Sequence, residues 1–339
     1  MNMLSNSELK RRSFMRSILH WVSATALSLT AFSAHALNVP GPVVDMAWLG
    51  NNLSQVQVVE VRSDMGSLKR QPELAVDKKT GKKVVVDVGG RIADARVLDM
   101  KAMRTTRKIG ELSVQYMLPE RGDFEKAIQA AGIDSGKPIV LVPMGLAMED
   151  IDDALRVYWQ FKVYGEANVA VLDGGQAAWL LEGRTTTQDP VVARAGNWKA
   201  GREQMQFLAD SADVAHASQS GGQLVDARPA GQFYGLNKRD YVYSYGHVAN
   251  ARLISPDVLT RNSQGVAYFY PAKTYASLFA AAGVDPSKPA VTYCNSGHLA
   301  SGPWFILSEI VGNPQTRLYD GSMHQWTLEK RPTVAVTLN

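Results

Sequence analysis

The chain has 339 residues, 45% of them apolar and 20% charged, so it can bury a sizeable core and is too apolar for wholesale disorder. Its single cysteine excludes a disulfide scaffold, a Cys-based zinc site and a Cys-ligated iron–sulfur cluster within one subunit. The net charge is +4, but Lys10, Arg11, Arg12 and Arg16 against Glu8 place +3 of it in the first 36 residues, and the near-neutral remainder gives no reason to expect nucleic acid or an anionic membrane as a partner.

The N-terminus reads as an export signal. Lys10-Arg11-Arg12-Ser13-Phe14-Met15-Arg16 is a basic n-region, residues 17–33 carry no acidic residue, lysine or arginine, and Ala34-His35-Ala36 offers small residues at −3 and −1 of a cleavage site. The paired arginines resemble a twin-arginine signal over residues 1–36. That predicts a bacterial periplasmic protein with no membrane span once the signal is removed.

The rest of the chain reads as one domain written twice. In chain order, Val58-Val59-Glu60-Val61-Arg62 parallels Leu224-Val225-Asp226-Ala227-Arg228, and residues 90–97 parallel residues 246–253. Ala130-Ala131-Gly132-Ile133-Asp134 parallels Ala281-Ala282-Gly283-Val284-Asp285, and Val171-Leu172-Asp173-Gly174 parallels Leu318-Tyr319-Asp320-Gly321. Each of the last pair is followed by a tryptophan, Trp179 and Trp326. Four pieces in one order point to duplication. We place a first domain over 37–186, a linker over 187–206 and a second domain over 207–335.

Within each half the patterns are those of α/β units. The runs 138–142 and 290–293 have the length and composition of buried parallel strands. Residues 124–131 and 275–282 read as helices stopped by Gly132 and Gly283, and 155–163 and 303–311 are apolar enough to pack on a sheet. Alternating helices and strands predict parallel sheets covered on both faces. An insertion over 76–84 reads as a hairpin with Thr80-Gly81 near its tip, its four lysines solvated.

Cys294 follows the strand 290–293 and precedes an apolar helix, separated from it by Asn295-Ser296-Gly297-His298-Leu299-Ala300-Ser301. A loop at the carboxyl end of a parallel strand is where α/β proteins bind ligands. Gly297 permits a tight turn whose N–H groups point inward, an arrangement that favours thiolate over thiol. These residues make Cys294 the candidate nucleophile. A Cys-dependent phosphatase would need Cys-x5-Arg, and Ala300 stands at the arginine position. The mature histidines His216, His247, His298 and His324 lack metal-site spacing, and no Gly-rich phosphate loop follows a strand, so neither a metal nor another cofactor is expected.

Asp226-Ala227-Arg228, Gly246-His247-Val248-Ala249-Asn250-Ala251, the Cys294 loop and Tyr319-Asp320-Gly321-Ser322 with Trp326 together resemble a tandem-domain rhodanese, of the thiosulfate and 3-mercaptopyruvate sulfurtransferase type. The resemblance implies two rhodanese-like α/β domains, each a parallel sheet flanked by helices, with chemistry only in the second. Pro143 aligns with Cys294, so the first half has no nucleophile. It also implies a Cys294 persulfide loaded by a small anionic donor and discharged to a thiol, cyanide or an acceptor protein. Asn295, Ser296, Gly297, His298, Leu299 and Ala300 would line the donor site. Ser296 stands where thiosulfate-type members carry a basic residue and matches the mercaptopyruvate type. Gln232 occupies a position that is commonly arginine, Arg239 corresponds to a second family arginine, and Arg91 replaces a first-domain histidine. His298 has no counterpart, and with Arg239 it is the candidate for the missing positive charge. The same loop would equally serve a carrier that holds persulfide sulfur and delivers it to a partner protein without turnover.

Overall fold

The computed structural model describes residues 37–191 and 194–337, so the expected export signal lies outside the described residues. The first half contributes β1 (Val43–Val44), β2 (Gln57–Arg62), the hairpin β3–β4 (Glu73–Val76, Lys83–Asp87), β5 (Arg96–Asp99), the hairpin β6–β7 (Thr105–Ile109, Leu112–Met117), β8 (Ile139–Val142) and β9 (Val169–Leu172). The second contributes β10 (Leu208–Ala209), β11 (Gln223–Asp226), β12 (Arg252–Leu253), the hairpin β13–β14 (Arg261–Ser263, Val266–Tyr268), β15 (Ala290–Tyr293) and β16 (Thr316–Tyr319). The helices are α1 (Met46–Asn52), α2 (Arg121–Ala130), α3 (Met148–Val163), α4 (Gly175–Leu181), α5 (Ser211–Ser220), α6 (Ala230–Phe233), α7 (Ala272–Ala281), α8 (Ser301–Phe305) and α9 (Ser322–Leu328). A wider π-type turn, Ile306–Ile310, continues α8.

Each half builds a five-stranded parallel sheet, in the orders β1-β9-β8-β2-β5 and β10-β16-β15-β11-β12, which are the same order. The alternation of side chains explains why the central strands are apolar throughout. Val59, Val61, Ile139, Leu141, Val169 and Val171 face one core, while Val58, Val140, Val142, Ala170 and Leu172 face another. The first of these cores is continuous with Val225, Ala290, Cys294, Trp304 and Leu318 of the second half, so the two sheets share one interior.

Duplication extends to individual hydrogen bonds. Gln57 spans Asp134 as Gln223 spans Asp285, each pairing its side-chain amide with the backbone N–H and carbonyl. Arg62 joins Glu60 to the Gly90 carbonyl, and Arg228 joins Asp226 to the Gly246 carbonyl, all four side chains being buried. The helix stops are as the sequence implies, with Gly132 and Gly283 both at φ +80°. The Lys-rich hairpin is β3–β4, with Lys78, Lys79, Lys82 and Lys83 exposed.

Two features go beyond the sequence reading. Residues 194–201 are no loose tether: Trp198 is buried edge-on against Phe124 and Phe161, and Gly196 donates to the Gln129 carbonyl. The hairpins β6–β7 and β13–β14 each reach across to the other half. The Leu118 N–H donates to Asp320, and the Phe269 N–H donates to Asp173. No helix among the described residues is long and apolar enough to cross a membrane.

Candidate active site

Strand β15 lies between β11 and β16 at the centre of its sheet and delivers Cys294 at its carboxyl end. The loop that follows is shaped by its own backbone. Gly297 adopts φ +72°, and a Cβ there would meet Asp320 Oδ1 at 2.6 Å and Arg156 Nη1 at 2.8 Å, so only glycine fits. Ser322 accepts the Cys294 and Gly297 N–H groups at 3.0 Å each and donates to the Tyr319 carbonyl at 2.8 Å. It holds this position at φ +49°, a left-handed conformation that costs a non-glycine residue about 1–2 kcal/mol. The Met323 and His324 N–H groups donate to the Cys294 and Asn295 carbonyls, docking the loop on the first turn of α9. The corresponding end of the first half is held in the same way, because the Gln176 and Ala177 N–H groups donate to the Pro143 and Met144 carbonyls.

The backbone amides of Ser296 and Ala300 pull the Cys294 pKa down and so favour its thiolate. Burial works against them and dominates: the side chain is 1% exposed, and its thiol is pushed above the ordinary value rather than below it, as the loop pattern alone implies. Asp226 and Asp152 push it the same way. The amides thus favour negative charge on sulfur, while burial opposes it.

The other loop residues divide into two groups. Asn295 and Ser296 are buried, and the Asn295 amide donates to Gln232 Oε1 at 2.7 Å, so Gln232 acts as a brace for the loop. Thr292 donates to the Ala300 carbonyl at 3.0 Å, and Leu299 packs on the shared core. His298 stays one-fifth exposed, with Nε2 2.9 Å from Asp153 Oδ1. Burial pushes its pKa down, Asp153 opposes this, and the Arg104 and Arg156 guanidiniums reinforce it. Arg239 is exposed, in the turn that carries Tyr241. Arg91 is remote in role: its guanidinium bonds the Ile92 and Pro190 carbonyls of the first half. His247 stacks on Phe233 at 3.7 Å and bonds its carbonyl, a structural role.

Sequence reasoning missed what the first half contributes. Helix α3 packs against the nucleophile loop and supplies three charged residues. Arg156 donates to the Gly297 carbonyl at 3.1 Å and pairs with Asp320 at 2.6 Å, both side chains buried. Asp153 takes His298 on one oxygen and the Ser63 hydroxyl on the other. Asp152 is fully buried at the start of α8. Hairpin β6–β7 adds Tyr116, whose ring lies 5.0 Å from that of Tyr241, a residue influenced by both Ser296 and Cys294. An Asp-Asp-x-x-Arg spacing on one helix is the only signal the sequence offered for these contacts.

Residues 211–329 match the family described as Rhodanese-like domain. A Saccharopolyspora erythraea protein, provisionally named a thiosulfate sulfurtransferase, is 30% identical over 247 residues, 70% of this chain and 81% of its own length. A Mycobacterium bovis protein with the same provisional name is 32% identical over 180 residues, 51% of this chain and 62% of that relative. Among solved structures, a 3-mercaptopyruvate sulfotransferase from Escherichia coli superimposes with TM-score 0.62 at 21% identity, covering 83% of this chain and 98% of its own. An anaerobic ergothioneine biosynthesis enzyme from Chlorobium limicola does so with TM-score 0.68 at 18% identity, covering 87% and 71%. At these identities the two structures speak to the fold alone, and the sequence relatives carry the family. With its doubled sheet and its Cys294 loop, this chain belongs to the rhodanese-type sulfurtransferase family.

Proposed function

We propose that the chain moves a sulfane sulfur from a small anionic donor, thiosulfate or 3-mercaptopyruvate, to a thiophilic acceptor through a persulfide on Cys294. One observation carries the reading: the sole cysteine sits at the carboxyl end of the central strand, at the head of a tight loop held by Gly297 at φ +72° and by the Ser322 hydroxyl. In the first step the Cys294 thiolate attacks the donor's sulfane sulfur. A new S–S bond forms, and the bond from that sulfur to the rest of the donor breaks, releasing sulfite or the enolate of pyruvate, which takes up a proton. In the second step an acceptor thiolate or cyanide attacks the terminal sulfur, and Cys294 leaves as thiolate. The loop amides bear the negative charge at both stages. His298, whose pKa burial pushes below the ordinary value, is held at the edge of the loop by Asp153. Asn295 through Ala300 form the floor of the donor site, with Arg239 at its rim. The first half, where Pro143 replaces the nucleophile, contributes walls and charges. The basic N-terminus supports export to the periplasm.

Intact mass spectrometry after incubation with thiosulfate, and separately with mercaptopyruvate, tests the reading. One donor should add a single sulfur atom to the parent and none to Cys294→Ser, and added cyanide should strip that sulfur over many turnovers. Failure of both donors to load Cys294, or equal loading of Cys294→Ser, would overturn it. Loading that never turns over with any acceptor would make the protein a carrier.

A further inference from the structure

Two of the arginines around the Cys294 loop are already neutralised. Arg156 is paired with Asp320, and Arg228 with Asp226. Arg104, at the start of strand β6, differs from both. Its Nε is buried with no hydrogen-bond partner, and its guanidinium carbon lies 5.3 Å from the Tyr116 ring centroid. The nearby carboxylate, Asp153, is committed to His298 and Ser63. Among the described residues, no carboxylate stands at ion-pair distance from Arg104.

The placement of this side chain is built into the hairpin. Pairing of β6 with β7 shifts register between Thr105 and Arg107, where two β6 steps face three on β7. Tyr116 falls in that bulge at φ +63°, and a bulge re-aims the side chain it carries. The re-aimed ring meets Tyr241, whose carbonyl bonds the His324 ring, and the His324 N–H donates to the Asn295 carbonyl of the Cys294 loop. Arg104 also lines a cavity of about 250 Å³ with Lys101, Thr105, Thr106, Gln115 and Tyr116, which leaves the guanidinium reachable from solvent.

An unpaired, partly buried guanidinium in a bulge-set position calls for an anion. We propose that Arg104 is the anion-recognition residue of the Cys294 site, so that the half without a nucleophile supplies the charge that selects a carboxylate- or sulfonate-type sulfur donor. The inference rests on the sulfur-transfer reading for its donor class, but the anion site itself can be tested without sulfur chemistry. Arg104 is set in a packed hairpin and presents a planar two-pronged fork, which suits such oxygens better than the exposed Arg239.

Because Cys294 is the only cysteine, alkylation of the full chain reports on that site alone. The ratio of iodoacetate to iodoacetamide rates measures local preference for an anionic reagent. In Arg104→Gln that ratio should fall about tenfold or more, the effect of one lost charged hydrogen bond. Arg104→Lys, which keeps the charge but not the fork, should lower it less than Arg104→Gln, and Arg239→Gln should leave it near the parent value. For whichever donor loads the parent, Arg104→Gln should raise the half-saturating concentration by a similar factor while changing the maximal rate less than about twofold. An unchanged ratio in Arg104→Gln, a drop in Arg104→Lys equal to that in Arg104→Gln, or the whole effect appearing in Arg239→Gln would each overturn the proposal. A ratio that depends on Arg104 in a chain no donor loads would uphold the anion site and reject sulfur transfer.

Discussion

Asp153 Oδ1 lies 2.9 Å from His298 Nε2, joining helix α3 of the first half to the nucleophile loop of the second. Asp153 supports a protonated His298, against burial and two guanidiniums. Asp153→Asn should therefore lower the His298 pKa further. A histidine depressed in the fold contributes nothing above the unfolded value near 6.5, and stability is lost as pH falls below it, because only the unfolded chain then takes the proton. The acid-side loss should be larger in the variant. Following the His298 ring proton by NMR across pH checks this, and an upward shift would refute it.

Arg156 and Asp320 form a buried ion pair with further partners, since Asp320 also accepts the Leu118 N–H at 2.7 Å and Arg156 donates to the Gly297 carbonyl. Removing one partner strands the other. Arg156→Met should cost about 3–5 kcal/mol in denaturant unfolding, because Asp320 is left as an uncompensated buried charge. A loss below about 1 kcal/mol would mean that the pair is dispensable.

The contrast between what the sequence revealed and what it concealed is physical. The strands at 139–142 and 290–293, the glycine stops and the Cys294 loop depend on local rules of periodicity, φ and turn chemistry, and all were legible. Asp152, Asp153 and Arg156 were not. On a helix, charges at this spacing read as a solvated face, and only a partner 141 residues away, Gly297, reveals that the face is buried. Tyr116 was hidden for a related reason, because nothing local marks the β7 bulge that turns it inward. The Cys294 thiol shows the limit of motif reasoning: the amides are where a Gly-bearing loop should put them, yet burial sets the direction of the shift.

Gly297→Ala probes the loop alone. The φ of +72° disfavours any side chain, and the new methyl would collide with Asp320 Oδ1 and with the Asp320 backbone carbonyl at 2.8 Å. The fixed carbonyl cannot yield, so the loop must move and lose its Ser322 bond. A destabilisation of about 1–3 kcal/mol is expected, with sulfur loading of Cys294 falling more than tenfold even where the variant is fully folded. Loading at the parent rate would show that loop geometry does not limit the reaction.

Asp152 provides a prediction with a definite sign. Its carboxyl is fully buried with neither oxygen in a well-formed hydrogen bond, and burial holds its pKa well above the usual carboxylate range, with Glu149 and Asp153 pushing the same way and the Gly302 backbone amide opposing them. The folded chain therefore keeps a proton that the unfolded chain releases from about pH 4 upward. Where the native state binds more protons, stability falls as pH rises. Asp152→Asn keeps the shape but has no proton to lose, so that slope disappears. Urea unfolding should find parent and variant alike near pH 4 and the variant progressively more stable toward pH 8. A stability difference independent of pH would mean that Asp152 is ionised in the folded protein, with a counter-charge supplied from elsewhere.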